Sequence, residues 1–450
     1  MAGLVILGNA SQPVAGDLIV SEPPPLLHLL PGNPPLVLVV NGSRLFEVDV
    51  EYFDQLRRDG EGTDELLNFG THLAAPATGN VPLLPPNAIS LNIAQSCNLS
   101  CSYCYADEGR FGKHPVLMSK KIALAAVDQL FEGVVPGQRA TVGFIGGEPF
   151  LNREVLYATV EHASEQARSS GSRVGFSVTT NGTLLTKADL DLLRDHSFAV
   201  SVSLDGSGEI NDRHRRARNG ASSFEMTMRA LAPLLQDPGN ARVTARATIT
   251  RQDLRVSERV DALLRAGFGE VGVSPLRTSP MPSLALGEED WPTLLNEMIR
   301  AGEAEWQRFP EAGAFRFSNL AVALKQIHAG YCKPLPCGSA ASYVSVSARG
   351  EYFTCHRTVD NPRFALGDIS IGLAQEPREE FLRSRHVDRQ EPCRACWARY
   401  LCGGGCHAEV LSAGCSGCDY IRGWLEYCLR KYDLAMREFP AWLERGEVGP

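Results

Sequence analysis

No apolar run in this 450-residue sequence approaches the ~20 residues that span a bilayer; runs such as Leu36 to Val40 are far shorter. No membrane association is expected. Positive charge is not in excess either: 44 Lys and Arg stand against 52 Asp and Glu, a formal net charge of −8. Broad binding to a phosphate backbone needs the opposite balance, so no nucleic-acid partner is expected. The N-terminal MAGLVILGNASQP puts no basic residue ahead of its brief apolar stretch, so a secretory signal is not expected and the protein is expected to be cytoplasmic. With 44% hydrophobic and 21% charged residues, the chain does not read as disordered or collagen-like.

Cysteine is missing from most of the chain, and where it occurs it is crowded. Cys97, Cys101 and Cys104 form one group, the next 227 residues have none, and ten more lie between Cys332 and Cys428. A secreted disulfide scaffold rarely leaves half its length without cysteine, and thirteen is an odd number. In a reducing compartment such clusters read as metal ligands or catalytic thiols.

The first 88 residues begin with the Pro-rich, irregular SEPPPLLHLLPGNPP. Strands are expected at 36–40 and 45–49 around the turn signal Asn41-Gly42, then a helix from Val50 to Arg58 and a linker at 76–87. This is a small α+β segment. From residue 89 strands and helices alternate. The expected strands are Ile89–Ala94, Thr141–Ile145, Val174–Thr179, Phe198–Leu204, Val243–Thr250 and Glu270–Ser274. The expected helices are Ser119–Phe131, Arg153–Ser169, Lys187–Asp195, Phe224–Leu235 and Ser257–Arg265, with Ser119 as an N-cap. The strands read as apolar on consecutive positions, the pattern of strands covered on both faces. Alternating βα units imply a parallel sheet, either a partial barrel or a doubly wound sheet, with functional residues at the C-terminal strand ends. Helical sequence is expected at 281–331. Beyond Cys332 the pattern is too weak to support a core unaided, and metal binding can supply the missing stability.

Cys97-x3-Cys101-x2-Cys104 directly follows the first barrel strand. Three thiolates on one loop can hold three corners of a cubane cluster and leave one iron open for chemistry. A zinc site completed by a distant residue such as His114 is the alternative reading. The arrangement C-x3-C-x-Tyr-C resembles the signature of the radical S-adenosylmethionine (SAM) superfamily. Further motifs fall at successive strand ends: Gly146-Gly147-Glu148-Pro149, Thr180-Asn181-Gly182-Thr183 and Val202-Ser203-Leu204-Asp205-Gly206. Asn211-Asp212-x-x-Arg215 resembles a His-Asp-x-x-Arg stretch whose Arg contacts the SAM carboxylate; here Asn replaces His, and Arg213 and Arg216 lie alongside. The resemblance implies a partial (βα)6 TIM-like barrel over 89–280. It also implies a SAM site comprising Tyr103, Gly146, Gly147, Glu148, Asn181, Ser203, Asp205 and Arg215. Tyr103 or Tyr105 would shield the cluster, although simple loop packing explains Tyr105 as well.

The C-terminal cysteines are spaced as Cys337-x12-Gly350-x4-Cys355 and Cys393-x2-Cys396-x5-Cys402-x3-Cys406, followed by Cys418. This resembles the SPASM domain, here placed at 332–430 ahead of a 431–450 tail, and implies two auxiliary [4Fe–4S] clusters. By family order, Cys332, Cys337, Cys355 and Cys406 would hold the first, and Cys393, Cys396, Cys402 and Cys418 the second. Cys415 could replace Cys418, and Cys428 reads as a buried inert thiol. A zinc ribbon at Cys393–Cys406 is the bland alternative. Together with SAM, three [4Fe–4S] clusters are implied, served by a donor such as flavodoxin or ferredoxin. Members of this group modify peptides or small protein subunits. The stretches CWARYLCGGGCH (396–407) and GCDYIRGWLEYC (417–428) resemble thioether-forming maturases of the quinohemoprotein amine dehydrogenase type. That resemblance implies Cys-to-Asp/Glu cross-links. Formylglycine-forming sulfatase maturation and ribosomal-peptide thioether formation share every cluster motif, and a non-catalytic Fe–S or zinc module is the remaining class.

Overall fold

A computed structural model describes residues 25–60, 62–70 and 83–445. Most of the expected 76–87 linker and the first 24 residues therefore lie outside the described residues. Three short strands open the chain, β1 (Leu27–Leu30), β2 (Leu36–Val39) and β3 (Arg44–Glu47), paired antiparallel in that order. The Pro-rich stretch read as irregular thus contains β1, a correction to the sequence reading. Its flanking prolines hid four residues whose partner is β2. A helix over Val50–Asp59 follows, capped by the Asp49 carboxylate on the Tyr52 amide at 2.7 Å, and a second helix spans Thr63–Gly70. Val37 and Val39 meet Phe53, Leu56 and Leu66 on one side of this unit, whereas Leu36 and Leu38 join the main core.

The remaining strands form one eleven-stranded sheet. They are β4 (Ala88–Gln95), β5 (Val116–Leu117), β6 (Arg139–Gly146), β7 (Arg173–Thr180), β8 (Phe198–Ser203), β9 (Arg242–Ile249) and β10 (Glu270–Pro275), then β11 (Tyr343–Val346), β12 (Glu351–Phe353), β13 (Ala365–Asp368) and β14 (Gly372–Leu373). The sheet order is β10-β9-β8-β7-β6-β4-β11-β12-β13-β14, with β5 against β4. From β10 through β4 every neighbouring pair is parallel and follows chain order, the arrangement of a partial (βα)6 barrel. Helices return between strands at Lys120–Glu132, Arg153–Ser170, Lys187–Asp195, Ser223–Gln236 and Val256–Arg265. Ser119 caps the first through the Ile122 amide, and Thr186 and Asp189 form a capping box on the third.

Side chains alternate across these strands, which departs from the expected consecutive apolar pattern. On one face Ile89, Leu91, Ile93, Phe144, Phe176, Val178, Val200 and Val202 are buried in the core shared with the helices. Phe144, Phe176 and Phe198 stack across β6, β7 and β8, with centroids 5.2–6.5 Å apart. Apart from Ile145 on β6, the alternate positions on these strands are small or polar. Ser90 and Asn92 on β4 meet Ser345 on β11 at 2.9 and 2.8 Å, and Tyr343 adds a 2.7 Å bond to Ser90. One face thus supplies the core and the other a polar lining.

The cysteine-rich region carries this sheet onward, because β11 pairs in parallel with β4 and leads the antiparallel edge β12–β14. These strands have two to four residues each, too few for a readable alternation. Helices Trp291–Ala312 and Ser318–His328 bridge from the barrel, and the 21-residue helix Cys418–Glu438 runs through the expected boundary at 430. Among the described residues no helix is long and apolar enough to cross a membrane. Arg378 locks the joint. It is 1% exposed and donates to the carbonyls of Leu84, Ala340 and Ala341. Replacing it with Met strands one buried and two part-buried carbonyls, so Arg378→Met is expected to cost roughly 2–3 kcal/mol in denaturant unfolding. Unchanged stability would contradict that role.

Candidate active site

The strand ends of β4, β6, β7 and β8 meet at one edge of the sheet, and the backbone decides how closely. Past β6, the Gly147 amide donates to the Ala94 carbonyl at 2.8 Å and the Glu148 amide to the Ser96 carbonyl at 2.9 Å. A Cβ at Gly147 would sit 2.1 Å from the Ser96 oxygen, so only glycine allows this approach to the cysteine loop.

That approach buries Glu148 completely. Its carboxylate accepts from the Asn181 amide (2.7 Å), the Thr180 hydroxyl (2.7 Å) and the Phe150 amide (3.2 Å). Among the described residues no basic side chain is hydrogen-bonded to it. Burial raises its pKa to about 7, against the pull of those donors and of the more distant Arg215 charge. Asn181 ties the same strand end to the cysteine loop. Its amide nitrogen lies 2.9 Å from the Asn98 oxygen and 3.8 Å from the Cys97 sulfur.

A second polar centre forms past β8. Asp205, 1% exposed, accepts from the Tyr103 hydroxyl at 2.6 Å and the Thr248 amide at 2.9 Å. Arg215 donates to the same Tyr103 oxygen at 2.9 Å. Burial opposes the Arg215 charge, but Cys101, Tyr103 and Asp205 more than offset it and keep the guanidinium protonated. Of the three neighbouring arginines, only Arg215 is buried: Arg213 reaches toward Asp253 and Arg216 toward the Asp212 carbonyl. Asn211, standing where the resembling motif has His, bonds the Asp205 amide and the Ser223 hydroxyl, a local brace. Ser203 ends β8, half-buried. Tyr103 is buried between loop and barrel, whereas Tyr105 is 41% exposed.

Burial pushes the Cys97 thiol up to about 12, with Glu148, Cys101 and Cys104 adding to the shift. The structure therefore brings the three loop cysteines together and sets Glu148 and Arg215 beside them. His114 is exposed and is not brought into this group. Among the described residues no three Cys, His, Asp or Glu side chains are placed to hold a single metal ion.

The C-terminal cysteines fall into two neighbourhoods. Burial raises the pKa of Cys337 and Cys355, and Cys406 lies close enough to add to both shifts, as Cys355 adds to that of Cys337. Cys393 is likewise surrounded by Cys415, Cys402, Cys418 and Cys396, and its thiol is pushed up to about 12, chiefly by burial. Cys415 thus sits among the second set with Cys418. Cys332 is not brought to the first set. It packs near Val40, Val387, Cys393 and Tyr400, and the charges acting on it are Asp388 and Arg399. Cys428 is fully buried in the last long helix. His356, next to Cys355, escaped the sequence reading. Its Nδ1 lies 3.0 Å from the Tyr343 hydroxyl, and burial, helped by Arg357, lowers its pKa to about 4. Only its position beside a cysteine could have drawn attention to it.

With this geometry in place, comparison with known proteins is informative. Residues 91–236 match the family model of the Radical SAM superfamily. Over those residues the chain matches a radical SAM domain. A serine-type anaerobic sulfatase-maturating enzyme from Klebsiella aerogenes is 24% identical over 391 residues, covering 82% of this chain and 92% of that protein. A cysteine-type enzyme from Clostridium novyi (strain NT) is 29% identical over 138 residues, covering 30% of this chain and 36% of its own. The solved structure of native anSMEcpe with bound AdoMet and Kp18Cys peptide superposes with a TM-score of 0.64 at 19% identity, covering 78% of this chain and 100% of that one. That likeness shows a shared fold. The relatives named here are sulfatase maturases, and the expected likeness to amine dehydrogenase maturation rests on the tail motifs alone.

Within the radical SAM domain, Tyr103 is the shared partner of Asp205 and Arg215. Tyr103→Phe leaves a buried carboxylate oxygen and a guanidinium each short of one bond. A loss of roughly 1–3 kcal/mol in chemical unfolding is expected, and an unaltered midpoint would refute the bridging role.

Proposed function

We propose that this chain is a radical SAM maturase that removes two electrons from a side chain of a peptide or small protein subunit. The observation that carries the proposal is the meeting, at one strand edge, of three cysteines, a buried carboxylate without a basic partner and a buried guanidinium. Those groups fit the implied cofactors. A [4Fe–4S] cluster on Cys97, Cys101 and Cys104 keeps one iron for a further ligand. SAM carries an ammonium that suits Glu148 and a carboxylate that suits Arg215. Together they supply, when bound, a hydrogen-atom abstractor, the 5′-deoxyadenosyl radical.

The chain's own residues do the positioning. Glu148 is held by three donors and cannot swing away, and its charge acts on Cys97 of the cysteine loop. Arg215 is fixed by Tyr103, itself fixed by Asp205. Asn181 directs its amide at Cys97, which moderates charge on that sulfur. We assign two auxiliary clusters to the C-terminal cysteines, one around Cys337, Cys355 and Cys406 and one around Cys393, Cys396, Cys402 and Cys418 or Cys415. Such clusters suit an oxidation in which one electron leaves with the abstracted hydrogen atom and the second needs an acceptor.

Two products fit this two-electron balance. The CWARYLCGGGCH stretch and the tail support a Cys-to-Asp/Glu thioether, in which C–H and S–H are replaced by C–S. Similarity to the Klebsiella aerogenes enzyme along most of both chains gives at least equal support to oxidation of a seryl alcohol to an aldehyde. Anaerobic incubation with SAM, a reductant and candidate peptides separates them by mass spectrometry. Either product is about two mass units lighter, with roughly one 5′-deoxyadenosine released per event. A thioether product no longer alkylates at its cysteine; an aldehyde product reacts with a hydrazide. Unchanged peptide mass would overturn the oxidative reading.

Iron content tests the cluster assignment. Reconstituted wild type is expected to hold about twelve irons and Cys337→Ala about eight. Cys332→Ala is expected to stay near twelve, because Cys332 packs against the cluster of Val40, Val387, Cys393 and Tyr400. Equal losses in the two variants would return Cys332 to that set, and about four irons in the wild type would remove the auxiliary clusters.

A further inference from the structure

A cavity of about 330 Å³ opens where the cysteine-bearing segments approach one another. Its lining includes Tyr105, Arg357 and Ala408, which lie one or two residues beyond Cys104, Cys355 and Cys406. The cavity thus faces both the first cysteine loop and the first auxiliary set. One wall is apolar: Phe364 and Leu411 belong to a cluster with Phe353, Val359 and Phe381.

The charged residues of the lining, Arg357 and Arg363, are both cations. The Arg357 guanidinium lies 4.8 Å from the Tyr105 ring centroid and 3.1 Å from the Glu409 carboxylate. Glu409 is shared with Arg277 at 3.7 Å, so one carboxylate faces two guanidiniums. Arg363 stacks on Phe364 at 5.8 Å, is exposed, and has no acidic partner among the described residues. Asp360, nearby in sequence, is committed to Lys113, Arg349 and Gln95. No carboxylate lines the cavity. Local positive charge therefore gathers in a chain whose net charge is −8.

We propose that this cavity is a subsite for a carboxylate-bearing residue of the peptide substrate, with Arg363 and Arg357 as the charged contacts. The volume suits one or two side chains, and an open guanidinium beside a second one is built to take a carboxylate. Thr278 and Ser412 offer hydroxyls to neighbouring peptide groups, and the Phe364–Leu411 wall takes the methylene stem. The inference rests on the peptide-modifying reading above and extends it to the substrate's composition. It requires acidic residues near the modified position.

Two fluorescein-labelled peptides of equal length test it, one with an Asp-Glu pair in a Gly/Ser frame and one with Asn-Gln in its place. Each is titrated anaerobically into the reconstituted full chain and followed by fluorescence anisotropy. The acidic peptide is expected to bind at least about fivefold tighter, against the chain's overall repulsion. Arg363→Gln, at an exposed position that tolerates substitution, should shrink that preference to under about twofold. Arg168→Gln, an exposed helix cation elsewhere, should leave it intact. Equal binding of both peptides to the wild type, or a preference that survives in Arg363→Gln and in Arg357→Gln alike, would overturn the subsite. Released 5′-deoxyadenosine and peptide mass are read from the same samples. Preference without turnover supports the subsite and counts against the maturase reading; turnover with equal binding overturns the subsite alone.

Discussion

The arrangement of the whole site depends on how closely the backbone after β6 lies against the chain after β4. Gly146 and Gly147 allow that contact, and two amide–carbonyl bonds extend the strand pairing one step past the sheet edge. The step does three things together. It sets the cysteine loop against the barrel, drives Glu148 into a fully buried position, and lets Asn181 reach from β7 to Cys97. A side chain at Gly147 would collide with the Ser96 carbonyl and the Cys97 side chain, separating the loop from the carboxylate and dissolving the arrangement. The reactive residues are therefore hostages to a packing constraint carried by residues with no chemistry of their own.

A second constraint joins the cysteine-rich region to the barrel. Because β11 pairs with β4, the strand that leads into the first cysteine loop also borders the segment bearing Cys337 and Cys355. Ser345 on β11 is shared between Ser90 and Asn92, and Tyr343 spans from Ser90 to His356. The polar face of the sheet thus continues from the barrel to the first auxiliary set. The N-terminal unit braces the far side. His28 stacks on Trp397 at 3.8 Å, and Arg399 reaches back to the Pro25 carbonyl and the Asn41 side chain. These contacts hold the second cysteine set from outside, so the unit has a structural task.

The barrel was legible because each of its strands is six to eight residues long and helices separate consecutive strands. Lys187–Asp195 agrees with the sequence reading to the residue, since Thr186 and Asp189 mark its start in plain sequence. The three-cysteine loop was legible for a different reason, because its spacing is local. What the sequence could not show is everything that depends on chains meeting at a distance. The choice of Arg215 over Arg213 and Arg216 comes from burial, which three adjacent arginines cannot reveal. Cys332 was grouped with Cys337 by the family's ligand order, whereas it packs near Val40, Val387, Cys393 and Tyr400, with the Lys333 amide on the Tyr400 carbonyl at 2.8 Å. β1 was hidden by its prolines and β11–β14 by their brevity.

The central claim is that the strand-end site holds a SAM-binding [4Fe–4S] cluster oriented by Glu148 and Arg215. Electron paramagnetic resonance of the anaerobically reconstituted, reduced protein with and without SAM tests it most directly, because SAM binding to the open iron alters that cluster's signal and not those of fully ligated clusters. The account predicts a SAM-dependent change in the wild-type spectrum. It also predicts loss of that change in Arg215→Gln, with the signals of the C-terminal clusters retained. A wild-type spectrum indifferent to saturating SAM, or a full response in Arg215→Gln, would contradict it.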